Sequence, residues 1–264
     1  MKNILITGAL GGMGRAAVEH FISLGYRVFA LDCKAGDAPM GAVPIVCDVT
    51  DEESVKAAYE AVSKECDALY AIVHYAGVYT LDSLVEMDSE KYRKIFDINL
   101  HGVYNVNKAF HSLLKKGGKI LITTSELAPL DPLPFTGIYA ITKAALDKYA
   151  FSLAMELQLL GITVSVLRAG AVDTGMLGAS TAALERFCEK TELYSCNAKR
   201  FREIVESVEA RCVSPKKIAS CAIGIVEKRN PRFTYAVNRN PLLRLLNILP
   251  KRIQLFAIRM ILKK

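Results

Sequence analysis

A serine, a tyrosine and a lysine stand at spacings that could move a proton to or from a substrate oxygen: Ser125, Tyr139 and Lys143, in the stretch SELAPLDPLPFTGIYAITK. Tyr139 and Lys143 lie four residues apart in the run IYAITKAALDKYAFSLAMEL, whose spacing predicts a helix, so the two side chains share one face. An ammonium beside a phenol favours tyrosinate. Each unit of depression from the ordinary value near ~10 corresponds to ~1.4 kcal/mol, and a tyrosine so lowered could exchange a proton at neutral pH. Ser125 ends an apolar run, GKILITTS, that reads as a strand, and open α/β sheets carry their chemistry at the carboxyl ends of strands. The set points to carbonyl/alcohol redox. A tyrosine with a lysine four residues on also decorates many ordinary amphipathic helices, so a second signal is needed.

That signal is at the N-terminus. Residues 2–6, KNILI, read as a strand; TGALGGMGRAAVEHFISLG then reads as a glycine-rich turn opening a helix that ends at Gly25, and YRVFALD as a second strand. Thr7, Gly8, Gly12 and Gly14 make the pattern TGxxxGxG, and Gly12-x-Gly14-x-x-Ala17 satisfies the broader dinucleotide fingerprint. Such glycines let the chain turn sharply, bring backbone N–H groups against a pyrophosphate and pack the helix on the sheet, while the helix N-terminus faces the phosphates. Asp32 follows Gly14 by eighteen residues, where a carboxylate can accept hydrogen bonds from ribose hydroxyls and would repel a 2′-phosphate. NAD(H) is favoured. Lys34 tempers that preference and leaves NADP(H) open.

Further on, VPIVCDV reads as a strand, DEESVKAAYEAVSKE as a helix capped by Thr50 or Asp51, and ALYAIVHYAG as a strand running into Gly77. A long helix is expected to begin near Asp88, pass through Asn99 and Gly102 and end by Gly117, with ITVSVLRAG and FTYAV as the last strands. Strands alternating with helices at this rhythm mean an α/β fold: a doubly wound parallel sheet of about seven strands with helices on both faces. The length of 264 residues suits a single domain over 1–264 with a core that needs neither disulfides nor metals.

Composition excludes several classes. No apolar run approaches the ~20 residues that span a bilayer, and MKNILITGAL is too short and glycine-broken for a secretory segment, so a cytoplasmic protein is expected. The seven cysteines are scattered without a CxxC, which predicts reduced thiols. His74, on an apolar strand, reads as a satisfied core group, and His20, His101 and His111 show no metal spacing; no metal is expected. Ten of the 34 Lys and Arg lie from Lys228 onward, where there is no Asp or Glu, leaving 24 basic against 27 acidic residues elsewhere. The basicity belongs to a tail and not to a nucleic-acid-binding face.

Taken together, Thr7-Gly8-x-x-x-Gly12-x-Gly14, Asp48, Asn99, Ser125, Tyr139-x-x-x-Lys143 and Gly170 with Thr174 make the chain resemble the short-chain dehydrogenase/reductase family up to about residue 238. The resemblance implies a Rossmann-type fold and a homo-oligomer. It also implies a catalytic set in which Ser125 orients the substrate oxygen, Tyr139 transfers the proton, Lys143 holds the nicotinamide ribose and lowers the tyrosine, and Asn99 supports a water linked to that lysine. Asp48 would touch the adenine and Thr174 the carboxamide, with Met13, Val49, Ala76, Gly77, Gly170 and Val172 completing the cofactor site. Three departures stand out. Tyr75-Ala76-Gly77 replaces the usual Asn-Ala-Gly, so other groups must satisfy the backbone at the sheet centre. Ala169-Gly170 replaces Pro-Gly, which is expected to loosen that turn. The Ser125–Tyr139 separation is one residue longer than usual and carries Pro129, Pro132 and Pro134; strand alignment still points to Ser125 over Thr124.

Substrate identity is expected between Gly175 and Ser214, where the family places a mobile loop. Met176, Leu177, Leu184, Phe187, Leu193, Tyr194, Phe201 and Ile204 there suit either ordinary packing or the wall of a site for a bulky apolar alcohol, a steroid or another lipid. The proline loop and basic tail resemble the hydroxysteroid and retinol dehydrogenase-like branch. In the segment 240–264, two short helices meet at Pro250, and Ile253, Phe256, Ala257, Met260 and Ile261 form a stripe widened by Leu255, Ile258 and Leu262 and flanked by Arg252, Arg259 and the terminal Lys263 and Lys264. It suits peripheral contact with an anionic membrane, or packing on the core, a substrate entrance or a sister subunit. The favoured function is an NAD(H)-dependent oxidoreductase interconverting a secondary alcohol and a ketone on a hydrophobic substrate. Alternatives are a 3-oxoacyl-thioester reductase, whose acidic carrier the tail would dock, and a cofactor-sensing binding protein without turnover.

Overall fold

The computed structural model describes the backbone of residues 1–209 and 211–263, and the side chains of these except 176–180 and 206–209. Seven strands form one parallel sheet in the order β3-β2-β1-β4-β5-β6-β7: β1 (Asn3–Thr7), β2 (Arg27–Asp32), β3 (Val43–Val46), β4 (Leu69–His74), β5 (Leu114–Ser125), β6 (Thr163–Ala169) and β7 (Thr234–Val237). Side chains alternate across each strand, and the two faces bury different partners. Leu5, Phe29, Ile72 and Ile120 meet α2 (Glu52–Glu65), α4 (Gly102–Phe110) and α5 (Gly137–Leu157). Ile4, Ile6, Val28 and Val73 meet α1 (Gly12–Ser23) and α8 (Pro215–Val226). The near-continuous apolar strands are what a sheet covered on both sides requires.

Strand order reverses between β1 and β4, which opens a crevice at their carboxyl ends. The register brings Thr7 opposite His74 and Ser125 opposite Ala169 at that edge. His74 is buried there with Nε2 2.9 Å from Asn107 Oδ1, and burial pulls it down to about 4, as expected of a neutral core histidine. Asp51, not Thr50, caps α2 by accepting the Glu53 N–H.

The long helix ends before Gly117, as expected, and differs from expectation in its middle. α3 (Ser89–Phe96) and α4 are joined by one π-helical stretch, Asp97–His101, and the run stops at Phe110, so that Gly117 belongs to β5. The wide turn sets Asn99 off the regular helical ladder and into the crevice.

Between Gly175 and Ser214 the described residues hold two helices, α6 (Gly175–Lys190) and α7 (Ser195–Glu209). Leu184, Phe187 and Phe201 pack with Phe135 and Leu81 as a third cluster, while Leu193 is exposed; the Met176 and Leu177 side chains lie outside the described residues. The tail forms α9 (Pro241–Ile248) and α10 (Lys251–Leu262). Its inner side is Gln254, Ala257, Ile258 and Leu262, so that of the stripe read from the sequence Ala257 turns inward while Ile253, Phe256, Met260 and Ile261 face outward. Gln254 Nε2 donates to Asp131 Oδ2 at 3.0 Å, Lys251 pairs with the same carboxylate, and Asn197 Nδ2 donates to Leu262 O at 2.7 Å. Lys264 lies outside the described residues. Among the described residues no helix is long and apolar enough to cross a membrane.

Candidate active site

A cleft of about 970 Å³ runs along the glycine loop, lined by Gly8, Gly12, Met13, Gly14, Asp32, Asp48, Val49, Ala76, Gly77 and Thr174. Of the other residues assigned to the cofactor from the sequence, Thr7 and Lys143 are buried, and Tyr139, Gly170 and Val172 line an adjoining pocket. The loop is a cradle that side chains would fill. A Cβ on Gly14 would come within 2.0 Å of Gly8 O, and one on Gly12 within 2.6 Å of Thr174 Cγ2. Gly8 has φ +64° and sits so close to Ala76 N that a Cβ would approach it to 2.6 Å. The α1 N-terminus therefore meets a ligand through backbone N–H groups, and the cleft fits a dinucleotide.

Asp32 closes β2 with its carboxylate held in place: Leu10 N–H donates to Oδ2 at 2.9 Å and Lys34 N–H to Oδ1 at 3.4 Å. Asp48 accepts from the Thr50 N–H and hydroxyl through Oδ1, at 2.9 and 2.8 Å. Val49 is wedged from behind, since a Cβ on Gly102 would strike its Cγ2 at 2.5 Å and Asn105 Nδ2 donates to its carbonyl at 3.0 Å.

Ser125, at the end of β5, and Tyr139, in the first turn of α5, meet in a pocket of about 210 Å³ that shares Met13, Tyr79 and Thr174 with the cleft. Asn99 and Lys143 converge on Gly77, where an added Cβ would lie 3.2 Å from Asn99 Oδ1 and 3.4 Å from Lys143 Nζ. Asn99 also braces the strand end: Oδ1 accepts from Val78 N–H at 2.8 Å, and Nδ2 donates to Val78 O and Thr142 Oγ1 at 3.0 and 3.1 Å.

The expected depression of Tyr139 is reversed. Tyr139 is half-buried with its ring on the pocket wall, and loss of water pushes its phenol up to about 12, offset in part by the Ser125 hydroxyl. Lys143 Nζ lies 5.7 Å from the ring centroid and donates to Thr123 O at 3.4 Å. Burial pulls the ammonium itself down to about 8. Sharing a helix face brought the two together, but burial sets the direction in which each is shifted.

The departures at the strand ends resolve differently. Thr7 takes over the sheet centre, its carbonyl accepting from Tyr75 N–H at 3.1 Å and its Oγ1 from Ala76 N–H at 3.3 Å. The Tyr75 ring packs among the α1 and α8 side chains, and its hydroxyl is enclosed without a partner. A buried, unsatisfied hydroxyl costs ~1–3 kcal/mol. Tyr75→Phe should therefore raise the denaturant midpoint by the equivalent of about 1 kcal/mol at unchanged m-value; a lowered midpoint would show that the hydroxyl is satisfied. Ala169 is not in a loosened turn but in the ladder, opposite both Ser125 and Val237, and Gly170 N–H donates to Val237 O at 2.9 Å.

Sequence reasoning missed Tyr79, whose ring packs at a tilt against Tyr139 with centroids 4.8 Å apart, and Glu126, the charged residue of the pocket wall. Their nearness to Gly77 and Ser125 was the available signal. It also missed Asn238, at φ +58°, whose Nδ2 donates to Ala171 O and Arg211 O at 2.8 and 2.7 Å, beside the Val172 to Val213 bridge.

A parallel sheet with a glycine cradle at its crossover, next to a pocket holding serine and tyrosine hydroxyls, defines an oxidoreductase of the dinucleotide-binding class. The chain belongs to the short chain dehydrogenase family, whose pattern matches residues 2–185. It is 33% identical over 191 residues to mouse (Mus musculus) estradiol 17-beta-dehydrogenase 2, covering 67% of this chain and 50% of that one, so it spans about half the length of that relative. It is 27% identical over 232 residues to 3-ketodihydrosphingosine reductase of Bacteroides thetaiotaomicron, with 87% of this chain and 85% of the relative covered. A short-chain dehydrogenase structure from Streptomyces avermitilis has the same fold, with a TM-score of 0.76 at 20% identity over 98% of this chain and 93% of that one.

Proposed function

We propose that the protein interconverts a secondary alcohol and a ketone on a hydrophobic substrate with NAD(H). The observation that carries this reading is that the cleft and the smaller pocket meet at Ser125 and Tyr139. When bound, the nicotinamide supplies or accepts the hydride. Ser125 orients the substrate oxygen, and Tyr139 gives it a proton during reduction or takes one during oxidation. Lys143, still above neutrality, holds the ribose and keeps positive charge near the phenol, and Asn99 supports a water linked to it. Gly8, Gly12 and Gly14 admit the pyrophosphate, Asp48, Val49, Ala76 and Gly77 line the adenosine and ribose side, and Thr174 meets the carboxamide. Gly170 and Val172 belong to the substrate wall.

Asp32 supports NAD(H) because its carboxylate, fixed by two N–H groups, cannot swing away from a 2′-phosphate. Asp32→Ser should shift the ratio of kcat/KM for NADPH over NADH by tenfold or more, about 1.4 kcal/mol. A wild-type protein already preferring NADPH would overturn this assignment.

Leu127, Leu133, Val172, Phe201, Ile204 and Leu243 give the pocket its apolar character, which with the two relatives' steroid and sphingoid names supports a lipid-like substrate. Screening hydroxysteroids, long-chain secondary alcohols and 3-oxoacyl thioesters by nicotinamide absorbance tests it; turnover of thioesters above all others would favour the acyl-thioester alternative.

The tail supports a peripheral membrane role. Leu255, Phe256 and Met260 are exposed on α10 beside Arg252 and Arg259, while the opposite side of the same helix is anchored to Asp131 and Asn197. Such a face inserts apolar groups among acyl chains while its cations meet anionic headgroups. The protein should sediment with phosphatidylglycerol vesicles at low salt and be released as salt screens the charge. Replacing Leu255, Phe256 and Met260 together with serine should abolish binding without lowering Tm, because the packed side is untouched. Indifference of the wild type to such vesicles would end the idea. Exposed Tyr104, Phe151 and Met155 on α4 and α5 support a homo-oligomer formed through those helices.

A further inference from the structure

Among the described residues lining the substrate pocket, Glu126 alone carries a formal charge. It follows Ser125 directly, and its backbone N–H donates to Ala169 O at 2.9 Å, so its place beside the catalytic hydroxyl is set by the β6 strand end. One carboxylate oxygen is used by the protein: Oε2 accepts from Asn240 N–H, at the start of α9, at 2.6 Å. The other, Oε1, lies over Gly170, 3.1 Å from where a Cβ there would stand. That position is itself closed by Asn238 O, 1.9 Å away, so residue 170 must be glycine for Glu126 and Asn238 to pack there, and Gly170 lines the same pocket. Burial raises the carboxyl, while the Asn240 N–H and the Arg239 charge draw it back. A half-buried acceptor in a wall whose other residues are uncharged costs free energy unless a donor meets it.

We propose that Glu126 Oε1 is a substrate subsite for a hydrogen-bond donor, a hydroxyl or an ammonium, carried close to the reacting carbon of an otherwise apolar chain. The inference rests on the alcohol/ketone reading of the pocket and narrows it: the preferred substrate is a diol or an amino alcohol, or the corresponding ketone, and not a simple hydrophobic alcohol. Glu126 also ties this subsite to α9 through Asn240, so the tail and the donor share one carboxylate.

The test uses three matched alcohols, octan-3-ol, octane-1,3-diol and 2-aminooctan-3-ol, oxidised by the full chain and by Glu126→Gln. Glutamine keeps an oxygen for the Asn240 N–H but loses the charge. The wild type should favour the donor-bearing compounds, and Glu126→Gln should cut kcat/KM for 2-aminooctan-3-ol by roughly tenfold or more, mainly through KM, with octan-3-ol unchanged. Equal losses on all three would show that Glu126 only supports the fold, and no loss on any would show that Oε1 meets nothing; either overturns the proposal. Calorimetric titration of the same compounds into the nicotinamide-loaded Tyr139→Phe protein reads the preference without turnover. Absence of oxidation of any compound would count against the alcohol/ketone reading, whereas tighter binding of the amino alcohol that disappears in Glu126→Gln would still uphold the subsite. Indistinguishable binding of all three would sink it.

Discussion

Tyr139→Phe is expected to lower turnover by about 10²- to 10⁴-fold while leaving nicotinamide affinity little changed. The substitution keeps the ring that packs against Tyr79 and removes the hydroxyl beside Ser125. The direction of the reaction should show in the pH dependence of the wild type. With the phenol pushed up to about 12, the protonated form dominates at neutral pH and can serve as the acid for ketone reduction. Oxidation needs the tyrosinate, so its kcat/KM should climb steeply as pH rises while that of reduction stays flat over the same range. Near-wild-type turnover by Tyr139→Phe would remove the tyrosine from the mechanism. A flat oxidation profile would show that Tyr139 is ionised already.

The second large effect is expected at Gly14. An alanine there would place its Cβ 2.0 Å from Gly8 O, 2.8 Å from Gly8 C and 2.9 Å from Ala9 Cα. All three are backbone atoms held by the β1 end and the α1 start, so no side chain can move aside to relieve the overlap. Forced packing of this kind costs ~1–3 kcal/mol or more, and here the loop must open and turn its N–H groups away from the pyrophosphate. Gly14→Ala should lower Tm and abolish NADH binding in a fluorescence titration. Gly224→Ala is the control: nothing lies within 4 Å of a Cβ at that α8 position, and helix propensity alone should make it neutral or stabilising by up to about 1 kcal/mol. Retained NADH affinity in Gly14→Ala would mean that the glycine loop does not carry the phosphates.

Local order in the chain determined the parallel α/β sheet, the glycine cradle and the alignment of Ser125, Tyr139 and Lys143, because these depend on periodicities of two and 3.6 residues and on backbone space at single glycines. It also determined that α10 has one apolar stripe. It could not say which side of that helix is covered: Gln254, a polar residue, became the buried anchor because Asp131 of the proline loop happens to lie opposite it, 123 positions away. The same limit applied to electrostatics. Spacing alone put Lys143 within reach of Tyr139, but the direction of the tyrosine's shift depends on how much water the surrounding elements remove, and there burial prevailed. Thr7 replacing the missing asparagine, the π turn that aims Asn99, and Glu126 bridging Ser125 to α9 are likewise contacts between distant strands and helices. Only the tertiary structure could decide them, since each is a balance of desolvation and hydrogen bonding among groups that no local sequence pattern relates.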